Sequence, residues 1–316
     1  MRTAFVYYLE FTEDDNANLY LQFLKKSING LLQYKMAEGP DIFINVIGND
    51  KNIHDELIIF CAERNINVID ISEDRLHYLY LPKLVDIPIP EINCLKEFPT
   101  ERTYPVKFFN HKFTSYPDII AKGYDRIVQL DADVLFYDNV SEMFEEFDVT
   151  NPDLLYYCRF PVASNIWQKD FIRNNLISRE WNHTKLFSLI NTPETFVKYT
   201  YTKKIFDLIF DYNIDNLVDD IYNQGFWVSG GTGIFSKAFV QKHFKRLSFI
   251  NYFVTKDDEL ALMLYCLANK IVPEHLDKKG TINLEWQFFD KEKYKIFHPG
   301  GIDLKKELFI NNWTDI

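Results

Sequence analysis

Two carboxylates at the end of an apolar run are the residues of this 316-residue chain best placed to do chemistry. The run reads Ile127-Val128-Gln129-Leu130-Asp131-Ala132-Asp133-Val134-Leu135-Phe136. In an extended backbone, residues two apart point to the same side, so Asp131 and Asp133 can converge on one point. Two like charges among apolar neighbours are costly unless a cation sits between them. A hard divalent ion such as Mg²⁺ or Mn²⁺ meets that need, because it takes oxygen ligands and often combines one or two carboxylates with substrate phosphates. The pair is therefore a candidate metal–diphosphate site.

A third donor stands near the end of the chain. His298 is followed by Pro299, Gly300 and Gly301, and a neutral imidazole is an acceptable Mn²⁺ donor beside two carboxylates. Glycine is scarce, at 11 residues, yet Gly225, Gly230, Gly231 and Gly233 crowd one stretch and Gly300 and Gly301 another. Glycine serves where φ must be positive or where backbone closely approaches a ligand, so the stretch after residue 223 reads as a ligand-facing loop. Trp227 within it suits either stacking on a sugar or core packing. Asp257, Asp258 and Glu259 precede an apolar helical segment, Leu260 to Asn269. They can act on a substrate or simply complement the helix dipole. Asp207, Asp211 and Asp215 fall at four-residue spacing and read as a solvated helix face.

Elements able to hold these groups are visible in the hydrophobic pattern. Residues 4–9, 42–47 and 67–71 are strand-like, with helical periodicity over Asp14 to Gln33 and Ile53 to Glu63 between them. Strand, helix, strand, helix, strand marks a parallel, nucleotide-binding type of α/β half. Its strands are continuous apolar runs because both faces of a parallel sheet are covered. Pro82, Pro88, Pro90, Pro99 and Pro105 make the stretch 82–105 an irregular connection. Helical character returns over Val106 to Lys122, with Gly123 as its C-terminal cap. Residues 150–222 are aromatic and Asn-rich, with helix-like segments near 165–190 and 193–212.

Composition excludes some partners. With 47% hydrophobic and 16% aromatic residues the chain is globular. A formal charge of −11 speaks against nucleic acid or an anionic membrane, but not against a nucleotide held by a metal. Cys61, Cys94, Cys158 and Cys266 lack any CxxC spacing and read as buried free thiols of a reducing compartment. The segment Met1 to Leu9 passes straight into a strand-like run, and no stretch reaches the 18 apolar residues of a membrane span. The expectation is a soluble, intracellular, cytoplasmic protein of unspecified oligomeric state.

In their order along the chain, the βαβαβ start, Asp131-Ala132-Asp133, the glycine-rich stretch and His298 resemble the GT-A nucleotide-sugar glycosyltransferases. The glycogenin-like family eight is the most similar. In that family the Asp-x-Asp binds Mn²⁺ and the donor diphosphate, and a C-terminal His-x-x-Gly-x-x-Lys-Pro-Trp supplies the third ligand and covers the phosphates. Here His298 and Gly301 keep register, Lys305 falls one place late, and Pro-Trp is absent. The resemblance covers roughly residues 1–140 and 220–305. It implies a single GT-A domain over residues 1–316: Rossmann-like α/β, with a mainly parallel mixed sheet flanked by helices. Residues 1–140 would bind the nucleotide and residues 150–316 the acceptor.

Residue by residue, the resemblance implies Asp131, Asp133 and His298 as ligands of Mn²⁺ or Mg²⁺. Ala132, Gly301 and Lys305 would lie along the donor, Tyr8 against the base, and Lys107 or Lys112 on the phosphates. Asp257, Asp258 and Glu259 occupy the place where the retaining family has Asp-Gln near the sugar. The implied activity is transfer of a hexose from a UDP-sugar, UDP-glucose or a close relative, to a glycan, protein or small-molecule acceptor, with retention. One alternative is an inverting GT-A enzyme using one of those carboxylates as base. Another is a sugar-nucleotide-binding protein without turnover. A nucleotidyltransferase is disfavoured, because Glu10-Phe11-Thr12-Glu13-Asp14-Asp15 after the first strand is acidic and lacks glycine.

Overall fold

The computed structural model describes residues 1–11, 16–48, 51–70, 112–161, 211–251, 258–276, 282–283, 294–299 and 305–307. The N-terminal half alternates as its sequence pattern requires. Strand β1 (Thr3–Phe11) leads to helix α1 (Ala17–Gln33), β2 (Ile42–Gly48), α2 (Lys51–Glu63) and β3 (Asn67–Asp70). A short helix α3 (Tyr116–Ala121) precedes β4 (Arg126–Asp131). Gly123, at φ +90°, turns the chain between them, as its type suggested.

The second half adds β5 (Leu135–Phe136), α4 (Ser141–Glu145), β6 (Leu155–Pro161), α5 (Leu217–Gln224) and β7 (Phe226–Ser236). Helices α6 (Lys237–Phe249) and α7 (Asp258–Ala268) follow, then the short strands β8 (Glu274–His275), β9 (Ile282–Asn283) and β10 (Ile296–Phe297). Ser236 caps α6 by accepting from the Phe239 N–H at 2.8 Å.

Seven strands form one mixed sheet in the order β3-β2-β1-β4-β7-β6-β8. All neighbours are parallel except across β7, which runs against both β4 and β6. This is the mainly parallel α/β sheet expected from the sequence. Side chains alternate across it: Ala4, Val6 and Tyr8 join one core cluster, Phe5, Tyr7 and Leu9 the other. Burial on both faces accounts for the continuous apolar runs. The first strand lies between β2 and β4, so the direction of winding reverses beside the carboxyl ends of β1 and β4. In open α/β sheets that reversal opens a crevice for ligands.

Several expectations change. The glycine-rich stretch is not a loop; it is strand β7, with Gly225 at φ +80° closing α5 just before it. Asp211 lies in irregular backbone at φ +50°, and Asp215 sits in a 3₁₀ turn, Ile214–Asn216, so these two do not share a helix face. Asp207, the irregular stretch 82–105 and the helix-like segments near 165–190 and 193–212 lie outside the described residues. Cys61, Cys158 and Cys266 are buried and free, as expected; Cys94 lies outside. Among the described residues no helix is long and apolar enough to cross a membrane.

Candidate metal and diphosphate site

Asp131 is the last residue of β4, level with Tyr8 of β1. Its convergence with Asp133 comes from a turn rather than from strand alternation. The Val134 N–H donates to the Asp131 carbonyl at 3.1 Å, folding Ala132 and Asp133 back over the strand end. Immediately afterwards β5 pairs antiparallel with β10, Leu135 opposite Phe297. His298 is the next residue after Phe297. A strand of two residues from the end of the chain therefore carries the imidazole to the carboxylates.

The donors meet closely. His298 Nε2 lies 3.2 Å from Asp133 Oδ1 and 3.9 Å from Asp131 Oδ2. One ligand atom from each of the three residues falls within 4.8 Å of the others. Two carboxylate oxygens and one imidazole nitrogen suit Mn²⁺ or Mg²⁺, and the fit is sterically open because Asp131 and His298 are only partly buried.

Two lysines complete the electrostatics. Lys305 Nζ pairs with Asp133 Oδ2 and donates to the Tyr20 hydroxyl at 3.3 Å. Lys112 Nζ, 2% exposed, bridges Asp131 Oδ1 at 2.6 Å and Asp258 Oδ2 at 3.0 Å. Burial pulls the Lys112 ammonium down, but Asp131 and Asp258 outweigh it and hold its pKa above the ordinary lysine value. Burial likewise opposes the charge on Asp133. His298 and Lys305 reverse that and hold its carboxyl below the usual range. Burial also works against the imidazolium of His298, yet Asp133 and Asp131 raise its pKa. The site is a set of alternating charges that stabilise one another.

Beneath it runs a buried hydrogen-bonded layer. The Tyr8 phenol accepts from the Phe113 N–H at 3.2 Å, directly after Lys112. Tyr116 donates to Gln129 Oε1 at 2.6 Å, and Gln129 Nε2 donates to the Tyr157 hydroxyl at 2.8 Å. Asn251 Nδ2 holds the Lys112 carbonyl at 3.1 Å. Tyr8 is 3% exposed, and burial pushes its phenol up to about 12. Its hydroxyl therefore supports the Lys112 turn from below.

Of the residues singled out by sequence, Asp131, Ala132, Asp133, His298, Lys305, Lys112, Asp258 and Tyr8 come together here. Glu259 stands in the first turn of α7 beside Asp258, half-buried. Asp257, Lys107, Gly300 and Gly301 lie outside the described residues. Gln129, Tyr116, Tyr157 and Asn251 were not anticipated. Gln129 alone carried a signal, as a polar residue inside an otherwise apolar strand.

No family model matches the chain, and no curated protein matches it in sequence. Solved structures of similar shape include mouse xyloside xylosyltransferase 1 in its apo form. It is 13% identical, with 96% of this chain and 99% of that one covered and a TM-score of 0.48. The apo bifunctional glycosyltransferase WbbM is 12% identical with a TM-score of 0.47; the match covers 95% of this chain and 46% of WbbM, so this chain spans less than half of that protein. The galactosyltransferase LgtC, in complex with donor and acceptor sugar analogues, is 12% identical, with 95% and 87% covered and a TM-score of 0.41. With TM-scores below 0.5 these likenesses identify neither a family nor a substrate.

Proposed function

We propose that this chain is a metal-dependent glycosyltransferase of GT-A type that transfers a hexose from a UDP-sugar, UDP-glucose or a close relative, with retention. The observation that carries this reading is the convergence of Asp131, Asp133 and His298 at the carboxyl ends of the parallel strands, with Lys112 and Lys305 alongside. Acidic donors flanked by two ammonium groups make a site for a divalent ion together with a diphosphate. A site for a bare cation would gain nothing from the lysines. Residues 1–140 are assigned the nucleotide and residues 150–316 the acceptor.

In this reading Asp131, Asp133 and His298 hold the ion, which when bound supplies neutralisation of the charge that develops on the departing diphosphate. Lys305, seated against Asp133, would offer its ammonium to the donor phosphates, and Ala132 and Gly301 are assigned to the donor. Lys112 fixes Asp131 against Asp258, with Tyr8 holding its turn; Lys107 stays the alternative cation on the phosphates. The carboxylate of Asp258 is engaged by Lys112. A carboxylate so paired orients donor hydroxyls rather than taking a proton, which supports retention over an inverting mechanism with a base at Asp257, Asp258 or Glu259.

The test is transfer or hydrolysis of UDP-glucose with Mn²⁺ and after chelation, with proton NMR of the first-formed product. An α-linked product formed only with metal is expected. A β-linked product refutes retention. UDP at a hundredfold over its dissociation constant should add about 2.7 kcal/mol of stability in Mn²⁺, and adenosine or guanosine diphosphate much less. Equal protection by all three removes the uridine assignment, and a bound but unreacted donor would leave a binding protein.

A further inference from the structure

We infer that Gly231 is the positioning residue for His298, and that a bulge in β7 exists to seat that imidazole against the two carboxylates. This rests on the metal reading above and extends it to a residue that has no side-chain ligand atom of its own.

The register of β7 breaks at one place. Tyr157 of β6 pairs with Gly233, but the next residue, Cys158, pairs with Ser229. One step along β6 thus matches four along β7, and Gly230, Gly231 and Thr232 bulge away from β6. On its other edge β7 keeps pairing with β4, up to Thr232 opposite Leu130, the residue before Asp131. The bulge therefore lies directly beside the end of β4. Bulges re-aim backbone next to functional sites.

What the bulge meets is His298. A Cβ on Gly231 would lie 2.4 Å from His298 Nδ1 and 2.5 Å from its Cε1, closer than carbon atoms approach one another without displacement. Gly231 does not have the positive φ that marks Gly48, Gly123 and Gly225, so its glycine identity answers a need for space rather than for an unusual backbone. The imidazole cannot easily give way. It follows a paired strand residue, Phe297, and its far nitrogen, Nε2, faces Asp133 at 3.2 Å. Because the ring is rigid, a methyl pressing on Nδ1 and Cε1 must displace Nε2 from its present place against Asp131 and Asp133. Gly233, two residues on, shows the same device serving packing alone: a Cβ there would meet Tyr157 Cε2 at 2.2 Å.

Manganese binding to the full chain, read by the loss of the free-ion electron paramagnetic resonance signal, tests the inference without activity. Gly231→Ala should weaken binding by roughly 10–100-fold, the usual effect of disturbing a group that orients a ligand. His298→Ala should weaken it by a similar factor, and the double variant should bind as His298→Ala alone, because the methyl acts only through the ring. An affinity of Gly231→Ala within twofold of the parent overturns the inference, as do losses that multiply in the double variant. Should Gly231→Ala fold poorly, the double variant must recover folding, since removing the ring removes the clash; no recovery is equally fatal. Absence of manganese binding in the parent is a different result: it removes the metal reading, and the inference with it.

Discussion

Two buried polar clusters in this protein handle charge in opposite ways. At the carboxyl ends of β1 and β4, Asp133, Asp258, Lys112 and Lys305 are all indoors, each held by an opposite charge. Farther along α7, the helix that begins with Asp258, Tyr265 forms a second chain with His243 and Asp153. His243 Nε2 meets Asp153 Oδ1 at 2.9 Å, and Nδ1 meets the Tyr265 hydroxyl at 2.8 Å. There, however, the charged members Asp153 and Lys242 stand half in water, and only His243 and Tyr265 are buried. Burial lowers the pKa of His243 and favours its neutral form, whereas at His298 the Asp133 and Asp131 carboxylates outweigh burial and raise the pKa. The second cluster obeys the ordinary rule of charges outside and neutral groups within. The first breaks it, and a fold tolerates that cost where chemistry needs the charges.

Removing a buried cation should therefore cost far more than removing a neutral partner. Lys112→Met takes the ammonium from Asp131 and Asp258 together and is expected to lower stability by roughly 3–5 kcal/mol, read by urea unfolding, with loss of any transfer activity. A change under about 1 kcal/mol would mean that the carboxylates are satisfied without it.

Tyr265→Phe leaves His243 Nδ1 without its buried partner and should cost about 1–3 kcal/mol, with manganese affinity unchanged. If it alters metal binding, the two clusters are coupled and their contrast fails.

Smaller effects appear with pH in metal-free protein. The folded pKa of His243 is depressed, so its contribution is complete above the ordinary value of about 6.5 and is lost as pH falls below it. The folded pKa of His298 is raised, so its contribution is complete below about 6.5 and is lost as pH rises through the raised value. Stability measured from pH 5 to 9 should lose its acid-side slope in His243→Gln and its alkaline-side slope in His298→Gln. Identical profiles in the two variants would contradict the opposite directions of the two shifts.

Sequence revealed the sheet better than the site. The periodicity of β1, α1 and β2 was readable because each buries apolar residues along its length; α2 and β3 followed the same alternation although Ile58 and Ile59 are exposed and β3 is only half-buried. Asp131 and Asp133 were readable because carboxylates interrupt such a run. The route by which His298 reaches them was not, since β5 and β10 are two residues each and pairing 160 residues apart leaves no local pattern. Gly231 was readable as special but misassigned to a loop. Glycine in a strand bulge and glycine in a turn look alike until the group filling the missing Cβ is known. The bridge from Lys112 to Asp258 joins two stretches that no periodicity connects. Tyr8 lies on the expected strand, but its hydroxyl's hold on the Lys112 turn, 105 residues away, had no signal in the sequence.

Asp131, Asp133 and His298 are proposed to hold a divalent ion that in turn holds a diphosphate. Titration calorimetry of UDP into the parent and into Asp133→Asn, each with Mn²⁺ and with chelator, tests it directly. Binding by the parent in Mn²⁺ should be at least about a hundredfold tighter than in chelator, and Asp133→Asn, still folded, should abolish the difference. UDP binding that ignores the metal, or that survives the substitution unchanged, would contradict it.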